Sequence, residues 1–72
     1  MSDLSTARDL FCLATKSFER GDYLGAIEAF RQSLALREDW LSYNGLGTAL
    51  FQTNQFEESI EAFRKSIDLN ED

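Results

Sequence analysis

The 72-residue chain has no proline, no histidine and no valine, and only one cysteine and one methionine. Without proline, nothing in the chain forces a break inside a helix. Without histidine, the commonest general base and the commonest metal ligand are both missing. A lone cysteine, Cys12, rules out an internal disulfide. No apolar run approaches the ~20 residues of a membrane span. Strict apolar–polar alternation is hard to find, so no strand pattern competes with a helical one. A chain this short buries only about 60% of its unfolded surface. With no covalent or metal staple, its stability must come from close helix packing or from association.

What is present describes a folded, soluble protein: 43% hydrophobic and 28% charged residues. The net charge of −6 argues against nucleic acid, whose binding rests on Lys and Arg contacts to phosphate, and against anionic membrane surfaces. It suits a partner with basic flanks. The opening Met1-Ser2-Asp3-Leu4 has no basic or apolar signal region. With the single free cysteine, this favours a reducing, cytoplasmic setting.

The chain matches itself at an offset of 33 residues. Ile27-Glu28-Ala29-Phe30-Arg31 returns as Ile60-Glu61-Ala62-Phe63-Arg64, Ser33 as Ser66, and Leu36 as Leu69. Leu13, Thr15 and Phe18 return as Leu46, Thr48 and Phe51. Residues 10–39 against 43–72 give 12 identities in 30 pairs, where average composition gives roughly two. A period of this size marks stacked supersecondary units.

Each unit reads as two helices. Ala7, Leu10, Ala14 and Ser17 recur at spacings of three and four, with Leu13 beside them. Gly21 suits the left-handed residue that ends a helix, and Asp22 suits the cap of the next. Tyr23, Ala26, Ile27, Phe30, Ser33 and Leu34 then follow helical spacing. Asp39 caps a third helix bearing Trp40, Tyr43, Leu46, Gly47 and Leu50; Asn54 takes the part of Gly21, because Asn tolerates left-handed backbone. A fourth carries Phe56, Ser59, Ile60, Phe63, Ser66, Ile67 and Leu69. The spacing predicts helices over 4–20, 23–37, 40–53 and 56–70.

This pattern resembles the tetratricopeptide repeat over nearly the whole chain. The positions that family favours fall on Leu10, Leu13, Ala14, Ser17, Ala26, Phe30, Ser33 and Glu38, and again on Tyr43, Leu46, Gly47, Leu50, Ser59, Phe63, Ser66 and Glu71. The resemblance implies an all-α fold of two stacked antiparallel helix–turn–helix hairpins in a right-handed α-solenoid. Repeat one would span about 7–39 and repeat two about 40–72, in one domain covering 1–72. Small residues at Ala14, Ala26, Gly47 and Ser59 let paired helices approach, and Phe30 and Phe63 fill the space between a unit and its neighbour. Glu38 and Glu71 replace the family's late proline, and the unit is one residue short, which affects the angle between units. The resemblance also implies a protein–protein interaction module, a scaffold or adaptor and not an enzyme.

In that family the first helix of each unit lines a concave groove. Here those helices carry a second stripe, Arg8, Phe11, Thr15 and Phe18, then Leu41, Asn44, Thr48 and Phe51, with Gln52 beside it. The spacings of 3, 4 and 3 keep each set on one face. Two readings stand: a semi-apolar groove with Thr and Asn as hydrogen-bonding groups, or ordinary core at Phe11 and Phe18. The Lys and Asn clamp that some members use on the C-terminal carboxylate of chaperones is absent, since Phe11, Thr15 and Gly45 occupy its positions. A peptide or helix with apolar anchors is the expected ligand.

Other residues carry less. Cys12 has no base to activate it, and no nucleophile–base pair exists. Glu57, Glu58 and Glu61 have helical spacing that could hold a cation, but Glu57 and Glu58 read as acids favoured at a helix start and Glu61 as a partner for Lys65. Asn70-Glu71-Asp72 has too few ligands for a calcium loop, and the glycines form no phosphate loop. No cofactor or metal is expected. Trp40 reads as covering the junction between units. Asp72 stands where the cap of another unit would stand, while Phe63, Ile67 and Leu69 remain as an apolar end face. Solenoids need about three or more repeats and polar terminal faces. Two expectations follow: the chain is the N-terminal part of a longer array or multidomain protein, or it covers that face by pairing into a homodimer.

Overall fold

The computed structural model describes residues 3–70. It consists of four helices: α1 Asp3–Glu19, α2 Tyr23–Leu36, α3 Trp40–Gln52 and α4 Phe56–Leu69. Each boundary lies within one residue of the range predicted from spacing. No strand occurs among the described residues. Each helix packs on the next in the chain, α1 on α2, α2 on α3 and α3 on α4, while α1 and α3 meet only sparsely. The Cα trace spans 36 × 32 × 17 Å.

Both hairpin turns use the same device. The chain turns through a left-handed residue, Gly21 at φ 85° and Asn54 at φ 66°. In each, the next amide reaches back five residues. Asp22 N–H donates to the Ser17 carbonyl at 2.8 Å, and Gln55 N–H to Leu50 at 2.9 Å. These bonds satisfy carbonyls that a helix end leaves open. The expected caps form. Asp22 Oδ1 accepts the Gly25 amide at 3.1 Å, and Asp39 Oδ1 accepts Leu41 N–H at 2.7 Å and Ser42 N–H at 3.4 Å.

Within each hairpin, a buried serine ties the second helix to the start of the first. Ser33 Oγ donates to the Ala7 carbonyl at 3.0 Å, and Ser66 Oγ, 33 residues on, donates to the Trp40 carbonyl at 3.0 Å. Ser59 Oγ donates to the Gly47 carbonyl at 2.8 Å. That length requires the close approach of α3 and α4 that two small residues permit. Each such bond contributes about 1 kcal/mol.

The core lies mostly at the junction between hairpins. Ala26, Ile27, Ala29 and Phe30 of α2 cluster with Leu46, Ala49 and Leu50 of α3. Phe30 is only 2% exposed. Its ring meets Phe11 edge-on at 5.8 Å between centroids, and it lies where a side chain on Gly45 would have to go. Gly47 likewise makes room for Phe63. Leu13 departs from the expected packing stripe. It is 52% exposed, whereas its counterpart Leu46 is buried, because α2 covers α3 on that side and no described helix covers α1.

Position 45 therefore tests the junction. Gly45→Ala drives a methyl group into the Phe30 ring, and overpacking of this kind costs about 1–3 kcal/mol. The counterpart Cys12→Ala, at an exposed site, is expected to stay within about 0.5 kcal/mol of the parent. Urea unfolding of both variants checks the contrast.

Candidate functional site

The sparse meeting of α1 and α3 leaves a groove with two depressions. The first, about 130 Å³, is lined by Ala7, Arg8, Phe11, Ser33, Arg37, Asp39 and Leu41. The second, about 240 Å³, is lined by Thr15, Phe18, Glu19, Phe30, Gly45 and Thr48. Phe30 reaches the second from beneath, so the same ring that joins the hairpins also floors the groove.

The nine groove residues expected from sequence separate accordingly. Arg8, Phe11 and Leu41 border the first depression, and Thr15, Phe18 and Thr48 the second. Asn44, Phe51 and Gln52 are exposed and line neither. Phe11 and Phe18 are half-buried against the core while also bordering the depressions. Phe18 stacks edge-on against Tyr23 at 5.0 Å, and its counterpart Phe51 does the same with Phe56 at 5.2 Å. Each edge-on pair contributes about 0.5–1.5 kcal/mol beyond burial.

The threonines are less versatile than their hydroxyls suggest. Thr15 Oγ1 donates to the Cys12 carbonyl at 2.9 Å, and Thr48 Oγ1 to the Asn44 carbonyl at 2.9 Å. Their protons are thus engaged within their own helices. What each offers the groove is an acceptor lone pair, suited to a ligand N–H.

Several lining residues escaped the sequence reading. Arg37, Ser33 and Asp39 come from the end of α2 and the link beyond it, and Phe30 from α2 itself. Periodicity within one helix is blind to what another contributes. Glu19, next to Phe18 in sequence, gave no separate signal.

Elsewhere the charges are modestly arranged. Arg31 and Glu58 form an ion pair at 3.5 Å across a depression of about 260 Å³ between α2 and α4. Both side chains are more than half exposed, so the pair contributes about 0–1 kcal/mol. Glu61 does not pair with Lys65. The Lys65 ammonium lies 5.8 Å from the centre of the Tyr43 ring instead. Tyr43 Oη donates to Glu38 Oε2 at 3.1 Å. Burial of the phenol, followed by the bond to Glu38 and its negative charge, pushes the Tyr43 pKa above its ordinary value.

On the outer side of α4 stand Ile60, 57% exposed, and Ile67, 70% exposed, with Phe63 half-buried between them. Phe56 and Ile60, absent from the expected end face, belong to it by helical spacing. Leu69 does not. Two residues beyond Ile67, it borders a different depression with Glu38, Tyr43 and Lys65. The expectations resting on Glu71 and Asp72 lie outside the described residues. Among the described residues, no helix is long and apolar enough to cross a membrane.

Comparison with known families finds the tetratricopeptide repeat model matching residues 40–72. The matched residues are those of the α3–α4 hairpin. The α1–α2 hairpin has the same left-handed turn and the same serine bond at a 33-residue offset, consistent with a second repeat. No curated protein and no solved structure gave a significant match to the chain. Tetratricopeptide repeats are protein–protein interaction modules in general.

The raised pKa of the Tyr43 phenol makes stability depend on alkaline pH. Below its ordinary pKa near 10.0, folded and unfolded chains both hold the proton. Above it the unfolded chain releases the proton first, so folded-state stability falls as pH rises through the raised folded value. Urea midpoints from neutral into this range should decline in the parent, and Tyr43→Phe should lose that part of the decline.

Proposed function

We propose that the chain captures an extended polypeptide segment in the groove between α1 and α3, as a scaffold or adaptor without catalysis. The observation carrying this reading is the pair of depressions that share one groove, walled by Phe11, Leu41 and Phe18 and edged by Thr15 and Thr48. Apolar hollows with polar rims suit side-chain anchors, and the two threonine lone pairs suit the backbone N–H groups of an extended ligand. A reducing, cytoplasmic setting agrees with the exposed free thiol of Cys12.

Peptides selected from a displayed random library on the parent chain test the proposal. They should move the amide resonances of Thr15 and Thr48, and Thr48→Arg should weaken them at least about tenfold, near 1.4 kcal/mol. Thr48→Arg should keep its melting temperature within about 4 °C, since a substitution at a groove edge leaves the core alone. Selected peptides that leave these resonances unmoved and bind Thr48→Arg equally well would remove the groove from the reading.

A second reading, self-association, is favoured by the contrast between equivalent residues. Ile27 is 5% exposed and Ile60 57%; Leu34 is packed on the core while Ile67 is largely bare. The occupant this reading names is a second copy meeting α4 with α4. The alternative, α4 against the α1 of another copy, would set Asp9, Cys12 and Lys16 where α3 has Ser42, Gly45 and Ala49. Charged residues and a side chain at the glycine position oppose that contact. Sedimentation over a wide concentration range should show a dimer that Ile67→Asp abolishes. A monomer throughout eliminates self-association.

A further inference from the structure

We infer that the first depression is a subsite for an acidic side chain, so that the groove selects a segment with an Asp or Glu near one end. This inference rests on the groove reading above and names the chemistry of its ligand. The chain carries 13 acidic residues against 7 basic ones, yet Arg8 and Arg37 border the same depression. Among the described residues, neither has an ion pair within 4.0 Å; the bridge that does form is Arg31–Glu58. Two guanidiniums that border one depression and hold no ion pair there offer an incoming carboxylate charge-assisted hydrogen bonds.

The carboxylate already present does not fill this role. Asp39 lines the depression, but its Oδ1 accepts the Leu41 and Ser42 amides and its Oδ2 accepts Ser42 Oγ at 3.3 Å. It is held by the start of α3 and offsets only part of the arginine charge. The walls, Phe11 and Leu41, are apolar and fit the methylene stem of an acidic side chain. The site therefore reverses locally what the whole-chain charge suggests, a partner with basic flanks.

The second depression completes the specificity. Its floor is Phe30 and its rim carries Glu19, which repels a second acid and accepts an apolar anchor. Phe11 and Phe18 mark the two depressions, seven residues apart on α1, about 10 Å of helix. An extended segment covers that in about three residues. The ligand thus has an acidic residue and a bulky apolar residue about three positions apart, and the unlike ends of the groove fix its direction.

The test uses acetylated, amidated random octapeptides with Leu fixed at one position and Asp, Asn or Lys fixed three residues before or after it. Amidation leaves side chains as the only designed carboxylates. On the parent chain, one of the two Asp orders should be retained roughly five- to tenfold better than its Asn twin, and the preference should fall as salt rises. Arg8→Gln with Arg37→Gln should bring Asp-library retention down to that of its Asn twin on the same variant, and Arg8→Glu with Arg37→Glu should transfer the preference to Lys. Equal retention of Asp and Asn peptides, with both lost in Thr48→Arg, overturns the acidic subsite and leaves the groove standing. Retention no better on the parent than on Thr48→Arg for every library overturns both.

Discussion

The fold depends on one aromatic ring placed between two hairpins. Phe30 belongs to α2, meets Phe11 of α1 edge-on, and lies over the bare backbone of α3 at Gly45. Burying a phenylalanine stabilises by about 1.5–3 kcal/mol, a large share of what so small a core supplies. The ring also sets how far apart α1 and α3 stand. A smaller group would let them close together, and a side chain at position 45 would push α3 away. The groove is therefore a by-product of the junction: the contact that holds the hairpins together also holds their first helices apart.

Polar hydrogen bonds do the matching work inside each hairpin. Ser33 and Ser66 are buried, as hydroxyls seldom are without a partner, and each finds one at the same place in its unit. No buried side-chain nitrogen or oxygen among the described residues lacks a hydrogen bond. The serines register the second helix against the first, and the apolar residues can then be few and small.

Much of this was legible in the sequence. The 33-residue period, the turns at Gly21 and Asn54 and the caps at Asp22 and Asp39 were all visible, because each depends on local chemistry. The groove was legible only in part. Arg8, Thr15 and Thr48 could be read from spacing on one helix, whereas Arg37 reaches the same hollow from the end of α2, which no single-helix periodicity reports. Leu13 and Leu69 show the complementary limit. Both are apolar at helical spacing, yet whether such a residue is covered depends on which helix stands beside it. Among the described residues no helix covers the outer side of Leu13, and Leu69 lies round the helix from Ile60 and Ile67.

The unlikeness of the two outer faces bears on how this molecule crowds. A block with an apolar patch at one end and a matching patch at the other adds to itself without limit, because a contact between unlike ends leaves both ends open. Here Asp9 and Lys16 make α1 a poor receiver for the bare side of α4. Any pairing of copies through α4 consumes the apolar surface of both partners and stops at two. Were copies to pair in that way, the contact would close on itself and would not propagate into fibres.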